Sequence, residues 1–153
     1  MSIHSNPIFK FALMLLFVLG ILILGFVTYQ KLTSPAQLFS RLELADSPQK
    51  REYGLMNRIS LCVDCGMLFT FPTTNTYSFW MKNTKIPLDI IYIQESGKID
   101  SICYNMQPED TTTNCTAKAP VKYVLETNPG YLKSKNIVEG YVLDMKEILT
   151  LAK

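Results

Sequence analysis

After position 4 the chain has no histidine, His4 being its only one. A Ser-His-Asp triad, a histidine-ligated metal and an imidazole base are therefore excluded from everything downstream. Phosphate-cradling and dinucleotide fingerprints are missing, and so is the G-x-S-x-G nucleophile elbow. No run of five like charges occurs and the net charge is only +2 over 153 residues, so nothing points to nucleic acid. No repeat of 20 to 50 residues is visible. An enzyme here would be confined to carboxylate and lysine chemistry, with Asp89 and Lys82 as the available pair. The reading leans away from an enzyme, and neither a cofactor nor a metal is expected.

What is present begins with an apolar run, FALMLLFVLGILILGFV, from Phe11 to Val27, which Thr28 and Tyr29 extend. This is about the length that crosses a bilayer core of roughly 30 Å. It predicts a cytoplasmic tail over 1–10, a transmembrane signal anchor over 11–29 and a linker over 30–37. The alternative is secretion after signal cleavage near Ser34-Pro35-Ala36, where the proline is awkward. Lys10 flanks one end and Lys31 and Arg41 the other, so flanking charge does not orient the span. All four cysteines follow it, which favours an oxidising side for residues 38–150 and a single-pass protein of the inner membrane.

Residues 38–150 are enough for one packed domain. Strands are predicted at 38–45, 66–71, 77–83, 88–94, 99–104, 121–127 and 141–148. The strands at 66–71 and 77–83 would form one hairpin, and those at 88–94 and 99–104 a second. Ser47 and Pro48 predict the start of a short helix that Gly54 ends, leaving Leu55 and Met56 to plug the core. Asn128-Pro129-Gly130 opens another helix over YLKSKN. The fold class expected is α+β, mainly β: a small antiparallel, curled or barrel-like sheet with one or two short helices behind one N-terminal transmembrane helix.

The most informative stretch is SFWMKNTKIPLDIIYI, residues 78–93, where Lys82, Asn83, Lys85 and Asp89 interrupt an apolar run that contains the only tryptophan, Trp80. Pleat alternation puts Trp80 and Lys82 on one face. That face could form a pocket wall for a small anionic or sugar-like ligand, with Asn83 as a hydrogen-bonding group. The competing reading is structural: Lys82 lays its stem on Trp80, Asn83 turns the chain, and Asp89 caps a loop or pairs with Lys82 or Arg58. Arg58 could hold an anionic ligand or tie to Asp64, Asp89 or Glu126.

Cys62 and Cys65 have C-x-x-C spacing, as redox disulfides do, but no thioredoxin-like βαβ order surrounds them. Combining them with Cys103 and Cys115 matches zinc-ribbon spacing poorly. Structural disulfides lead, 62 with 65 and 103 with 115, with cross-pairing open. The sequon at Asn114 reads as incidental.

Together LELADSPQKREYGLMNR (42–58), GMLFTF (66–71), SFWMKNTKIPLDIIYI (78–93) and KYVLETNPGYLKSKNI (122–137) resemble the prokaryotic family known as domain of unknown function 192, over about residues 38–145. The resemblance implies a small β-rich domain, often behind a signal sequence or anchor, with no established activity. It also implies departures: members commonly carry acidic and proline residues where Cys62-Val-Asp-Cys65 stands. Many hold two cysteines in the loop that here, over 105–120, holds only Cys115.

The expectation is thus a membrane-anchored extracytoplasmic module of the cell envelope that binds a small polar ligand or an envelope protein. The ligand candidates are Trp80, Lys82, Asn83, Asp89 and Arg58. A structural component without ligand is the alternative, and a carboxylate and lysine enzyme acting on a glycan or metabolite a third.

Overall fold

The structure, a computed structural model, describes residue 11, residues 13–21, residue 23 and residues 38–153. The helical residues among 11–23 are exposed, and no helix among the described residues is long and apolar enough to cross a membrane. Among the described residues this runs against the transmembrane helix expected over 11–29, which needs about 20 consecutive apolar helical residues. The rest of that expectation, residues 12, 22 and 24–29, lies outside the described residues, as do the tail 1–10 and the linker 30–37.

Residues 38–153 build seven strands and three short helices. In chain order they are β1 (Arg41–Ala45), α1 (Pro48–Tyr53), β2 (Cys65–Asn75), β3 (Ser78–Phe79), β4 (Leu88–Ile93), β5 (Ile99–Met106), β6 (Cys115–Thr116), β7 (Val121–Thr127), α2 (Tyr131–Ser134) and α3 (Met145–Leu151). Five strands form one sheet in the order β1-β2-β7-β4-β5, while β3 and β6 pair separately. The β1–β2 pair is parallel and the other pairs are antiparallel.

The mainly-β character stands, but the curled or barrel-like closure does not: the sheets are open. Every residue of β4 is buried, since both faces of the sheet are covered. On one face Leu42, Leu68, Ile91, Ile93 and Leu125 pack with Leu132 and Ile148 from α2 and α3. On the other, Met67, Phe69, Ile90, Tyr92 and Val124 pack under Leu55, Met81 and Cys115. A layered sheet has no need to close on itself, and its edges are guarded by other means. Leu44 and Leu42 exchange backbone hydrogen bonds with Lys153 at the β1 edge, and Ile99 on β5 does so with Tyr141 and Gly140.

Local chemistry accounts for the elements. Ser47 Oγ accepts the Lys50 amide at 3.2 Å and Pro48 occupies the first turn of α1, as the sequence predicts. The β4–β5 hairpin forms as expected, with Gly97 at φ +86° in its turn. The hairpin between 66–71 and 77–83 does not form: β2 runs on to Asn75, and β3 pairs with β6 instead. The strand expected over 141–148 is replaced by α3, because the Asp144 carboxyl accepts the Lys146 and Glu147 amides as an N-cap. The cysteines stand as the pairs 62–65 and 103–115, the second fastening β5 to β6.

Candidate functional site

Trp80 to Thr84 make a turn rather than continue a strand. The Thr84 amide donates to Met81 O at 3.1 Å, and Asn83 takes the left-handed conformation, φ +56°, which asparagine tolerates well. Lys82 and Asn83 are therefore the outer corner of this turn, whereas Asp89 lies buried in β4. Met81 points inward and is fully buried. The Asn83 carbonyl accepts the Asn57 amide at 2.8 Å, which ties the corner to the chain leaving α1.

Aromatic side chains fix the segment just before the turn. Phe79 meets Phe69 edge-on at 4.9 Å and Tyr92 at 6.0 Å, and Tyr77 stacks on Phe71 at 3.6 Å. Such offset and T-shaped pairs add about 0.5–1.5 kcal/mol each beyond the area they bury. Trp80, next along, is left 53% exposed, with the Lys82 ammonium 5.7 Å from its ring centroid. Facing this wall is α1. Arg51 from α1 crosses to donate to Thr70 O at 2.8 Å and lies over the Phe71 ring.

Below the junction lies Glu126. Its β7 position is paired with Met67 on β2 and Ile90 on β4, both in the apolar layer beneath Leu55 and Met81. Glu126 is therefore a carboxyl group set in a hydrophobic layer at the centre of the sheet. It is buried, and Oε2 has no hydrogen-bond partner among the described residues. Burial pushes its pKa up to about 8, against the opposing pull of the Arg58 charge. The acid is thus mostly neutral at pH 7 and carries an O–H that can donate. Gly54, which ends α1 at φ +49°, leaves the approach open: a side-chain carbon there would stand 3.2 Å from Phe69 Cζ and 3.9 Å from Glu126 Oε2.

Three adjoining hollows that share lining residues follow from this packing. A small one of about 30 Å³ lies against Glu126, Gly54, Phe69, Phe79 and Thr84. It shares Glu52 and Trp80 with two larger ones, about 240 Å³ beside Phe71 and Tyr77 and about 320 Å³ beside Tyr53, Met56, Lys82 and Asn83. The result is a groove between α1 and the Trp80 segment, aromatic along its walls, charged at its rim and floored at its narrowest point by a neutral carboxylic acid.

Of the five expected ligand residues, Trp80, Lys82 and Asn83 line this groove. Arg58 does not: it forms a two-pronged pair with Glu43 at 2.5 and 2.6 Å, which holds the Glu43 carboxyl below its usual range. Asp89 does not either. Buried at 2% exposure, its two oxygens accept the Asn105 amide at 2.7 Å and the Gly130 amide at 2.8 Å. Glu126, the groove's one deeply buried acid, entered the sequence reading only as a possible partner of Arg58. Met56, expected in the core, is partly exposed and lines the groove, whereas Leu55 does plug the core.

Because Lys82 is exposed and pairs with no carboxylate among the described residues, Lys82→Ala is expected to change stability by no more than about 0.5 kcal/mol. Thermal melts of the two proteins check this, and a drop well beyond it would make Lys82 a structural tie.

Comparison with known proteins adds the following. The family model described as DUF192, uncharacterized ACR, matches residues 30–145. A Sinorhizobium meliloti protein of known structure, to which a role as transcription regulator has been ascribed, is 41% identical with a TM-score of 0.62, over 65% of this chain and 76% of its own. A Novosphingobium aromaticivorans protein of unknown function is 36% identical with a TM-score of 0.62, over 65% of this chain and 70% of its own. No curated protein matches.

Proposed function

The chain belongs to the DUF192 family, whose activity is not established, and from that premise we propose that its folded domain is a binding module for a small polar or sugar-like ligand. The observation that carries this is the unpartnered Oε2 of Glu126 at the floor of an open groove. Leaving a buried polar atom unpaired costs about 1–3 kcal/mol, so a ligand acceptor placed there recovers what the apo fold gives up. Trp80 supplies a flat apolar platform for the ligand body, and Lys82 and Asn83 supply polar contacts at the rim. A net charge of +2 without a basic run gives no support to nucleic acid as the ligand. Two disulfides, with no free cysteine among the described residues, support work in an oxidising, extracytoplasmic compartment.

The test is an NMR titration of the isotope-labelled protein with a panel of monosaccharides, amino acids and small organic acids at pH 6. A true ligand shifts the Trp80 indole and Gly54 amide signals saturably, and Trp80→Ala weakens it about tenfold, which is ~1.4 kcal/mol. Raising the pH past 8 should weaken it too, as Glu126 loses the proton it donates. If no compound gives saturable shifts at these residues, the groove is a packing feature and the domain is a structural component.

A further inference from the structure

A second site lies away from the groove, at the start of β2. Cys62 to Cys65 form a tight turn, with the Cys65 amide donating to Cys62 O at 3.1 Å. The two cysteines of this disulfide are not equivalent: Cys62 is exposed, whereas Cys65 is 1% exposed. Cys62 is thus the half of the bridge that solvent reaches, which leaves Cys65 as the leaving group. The surroundings suit each half. The Arg41 guanidinium stands 4.0 Å from Cys62 Sγ, where it favours a thiolate over a thiol. Ser40 Oγ lies 3.8 Å from Cys65 Sγ and hydrogen-bonds Asp64 Oδ1 at 2.8 Å, which gives the Cys65 sulfur an adjacent hydroxyl relay for a proton. Asn128 Nδ2 donates to Cys62 O at 2.7 Å, a bond that does not depend on the disulfide and helps hold the loop when it opens. Ile59 and Val63 beside it are 84% and 76% exposed, apolar side chains suited to a polypeptide rather than a small thiol.

We propose that Cys62–Cys65 is a redox-active disulfide that exchanges with a dithiol of an extended polypeptide. In the exchange, a partner thiolate attacks Cys62 Sγ and forms a mixed disulfide. The Cys62–Cys65 bond breaks, and its electron pair leaves on Cys65, which takes up a proton from solvent by way of the exposed Ser40 hydroxyl, while the partner's second thiol returns one to solvent as it ionises. The partner's second thiol, on ionising, attacks the partner's own sulfur in the mixed disulfide and releases Cys62 as a thiolate beside Arg41. The partner dithiol is oxidised to a disulfide, and two electrons pass to Cys62 and Cys65. The exchange is reversible and stoichiometric, and needs no further reactant. The Cys103–Cys115 bridge is the internal reference: Cys115 is 1% exposed and its carbonyl accepts the Tyr92 hydroxyl at 2.5 Å.

The experiment equilibrates the full chain with graded ratios of reduced to oxidised glutathione, quenches it with an alkylating agent and maps the cysteines by mass. The expected result is alkylation of Cys62 and Cys65 at ratios that leave 103–115 intact and the fold native by circular dichroism. Reduced Cys62 should alkylate with a pH midpoint below the free-thiol value of about 8.5, and Arg41→Gln should raise that midpoint. With a dithiol peptide supplied as its disulfide, Cys65→Ser should trap it on Cys62 as a mixed disulfide, since no Cys65 thiol remains to release it, and Cys62→Ser should trap none. Opening of both bridges together, only as the fold is lost, or an ordinary pH midpoint for Cys62, overturns the proposal. Adducts with glutathione but not with the peptide overturn the polypeptide partner.

Discussion

Replacing Glu126 with glutamine should remove most of the pH dependence of stability between pH 5 and pH 9. The unfolded chain presents this carboxyl at its ordinary value of 4.5, whereas the folded protein holds it at about 8. Below pH 4.5 the acid is neutral in both states and contributes no difference. Between 4.5 and 8 the unfolded chain ionises it freely while the folded one resists, so stability falls as pH rises, and above 8 the loss is complete. At 1.36 kcal/mol per pKa unit the loss is on the order of 4–5 kcal/mol, a large part of the net stability of a small domain. Glutamine does not titrate. The variant should match the parent near pH 5 and melt at a higher temperature at pH 8.5, a difference that thermal denaturation at the two pH values reads directly. Parallel melting curves for parent and variant across this range would mean that Glu126 is solvated and ionised at neutral pH, and the groove would lose its neutral hydrogen-bond donor.

Asp89→Ala should be among the most destabilising changes in the domain, at about 2–4 kcal/mol, since it strands two backbone amides at once. Asn105 lies where β5 bulges: Leu88 pairs with Met106 but Ile90 with Cys103, and Asn105 takes up the irregularity at φ +51°. Gly130, at φ +73°, turns the chain from β7 into α2. One buried side chain therefore holds the hairpin irregularity and the approach to α2 in place. Chemical denaturation of Asp89→Ala and of the double variant with Lys82→Ala separates the possibilities. Additive effects are expected, because no bond joins Asp89 to Lys82, whereas coupling above about 0.5 kcal/mol would restore the Lys82–Asp89 pair that the sequence suggested.

Much of this was legible in the chain itself, and the misreadings share a cause. The Ser47-Pro48 start of α1, the β4–β5 hairpin and the extent of β7 follow from side chains acting on their own backbone within a few residues, so local rules suffice. The run from Ser78 to Ile93 misled because alternation was read through a turn. Tyr77, Phe79 and Met81 do face inward in alternation, but the chain there pairs with β6 for only two residues before bending at Asn83. β4 reads as an apolar run broken only by Asp89 because both its faces are covered, and such a run does not show whether a sheet closes or is layered. Arg58 and Asp89 looked alike as polar residues near an aromatic segment. Their roles depend on partners at Glu43, Asn105 and Gly130, which no spacing rule brings together.

By itself, the sequence determined the family, the exclusion of histidine chemistry, the mainly β content and the presence of four cysteines in the domain. Each of these depends on residue identity or on short-range periodicity, which need no knowledge of long-range pairing. The tertiary structure alone decided that β7 lies between β2 and β4, and so buries Glu126 between Met67 and Ile90. It also set the open, layered sheet and left Cys62 exposed while covering Cys65. Burial is a property of the neighbours that fold over a residue, and the same glutamate in an edge strand would be an ordinary solvated charge.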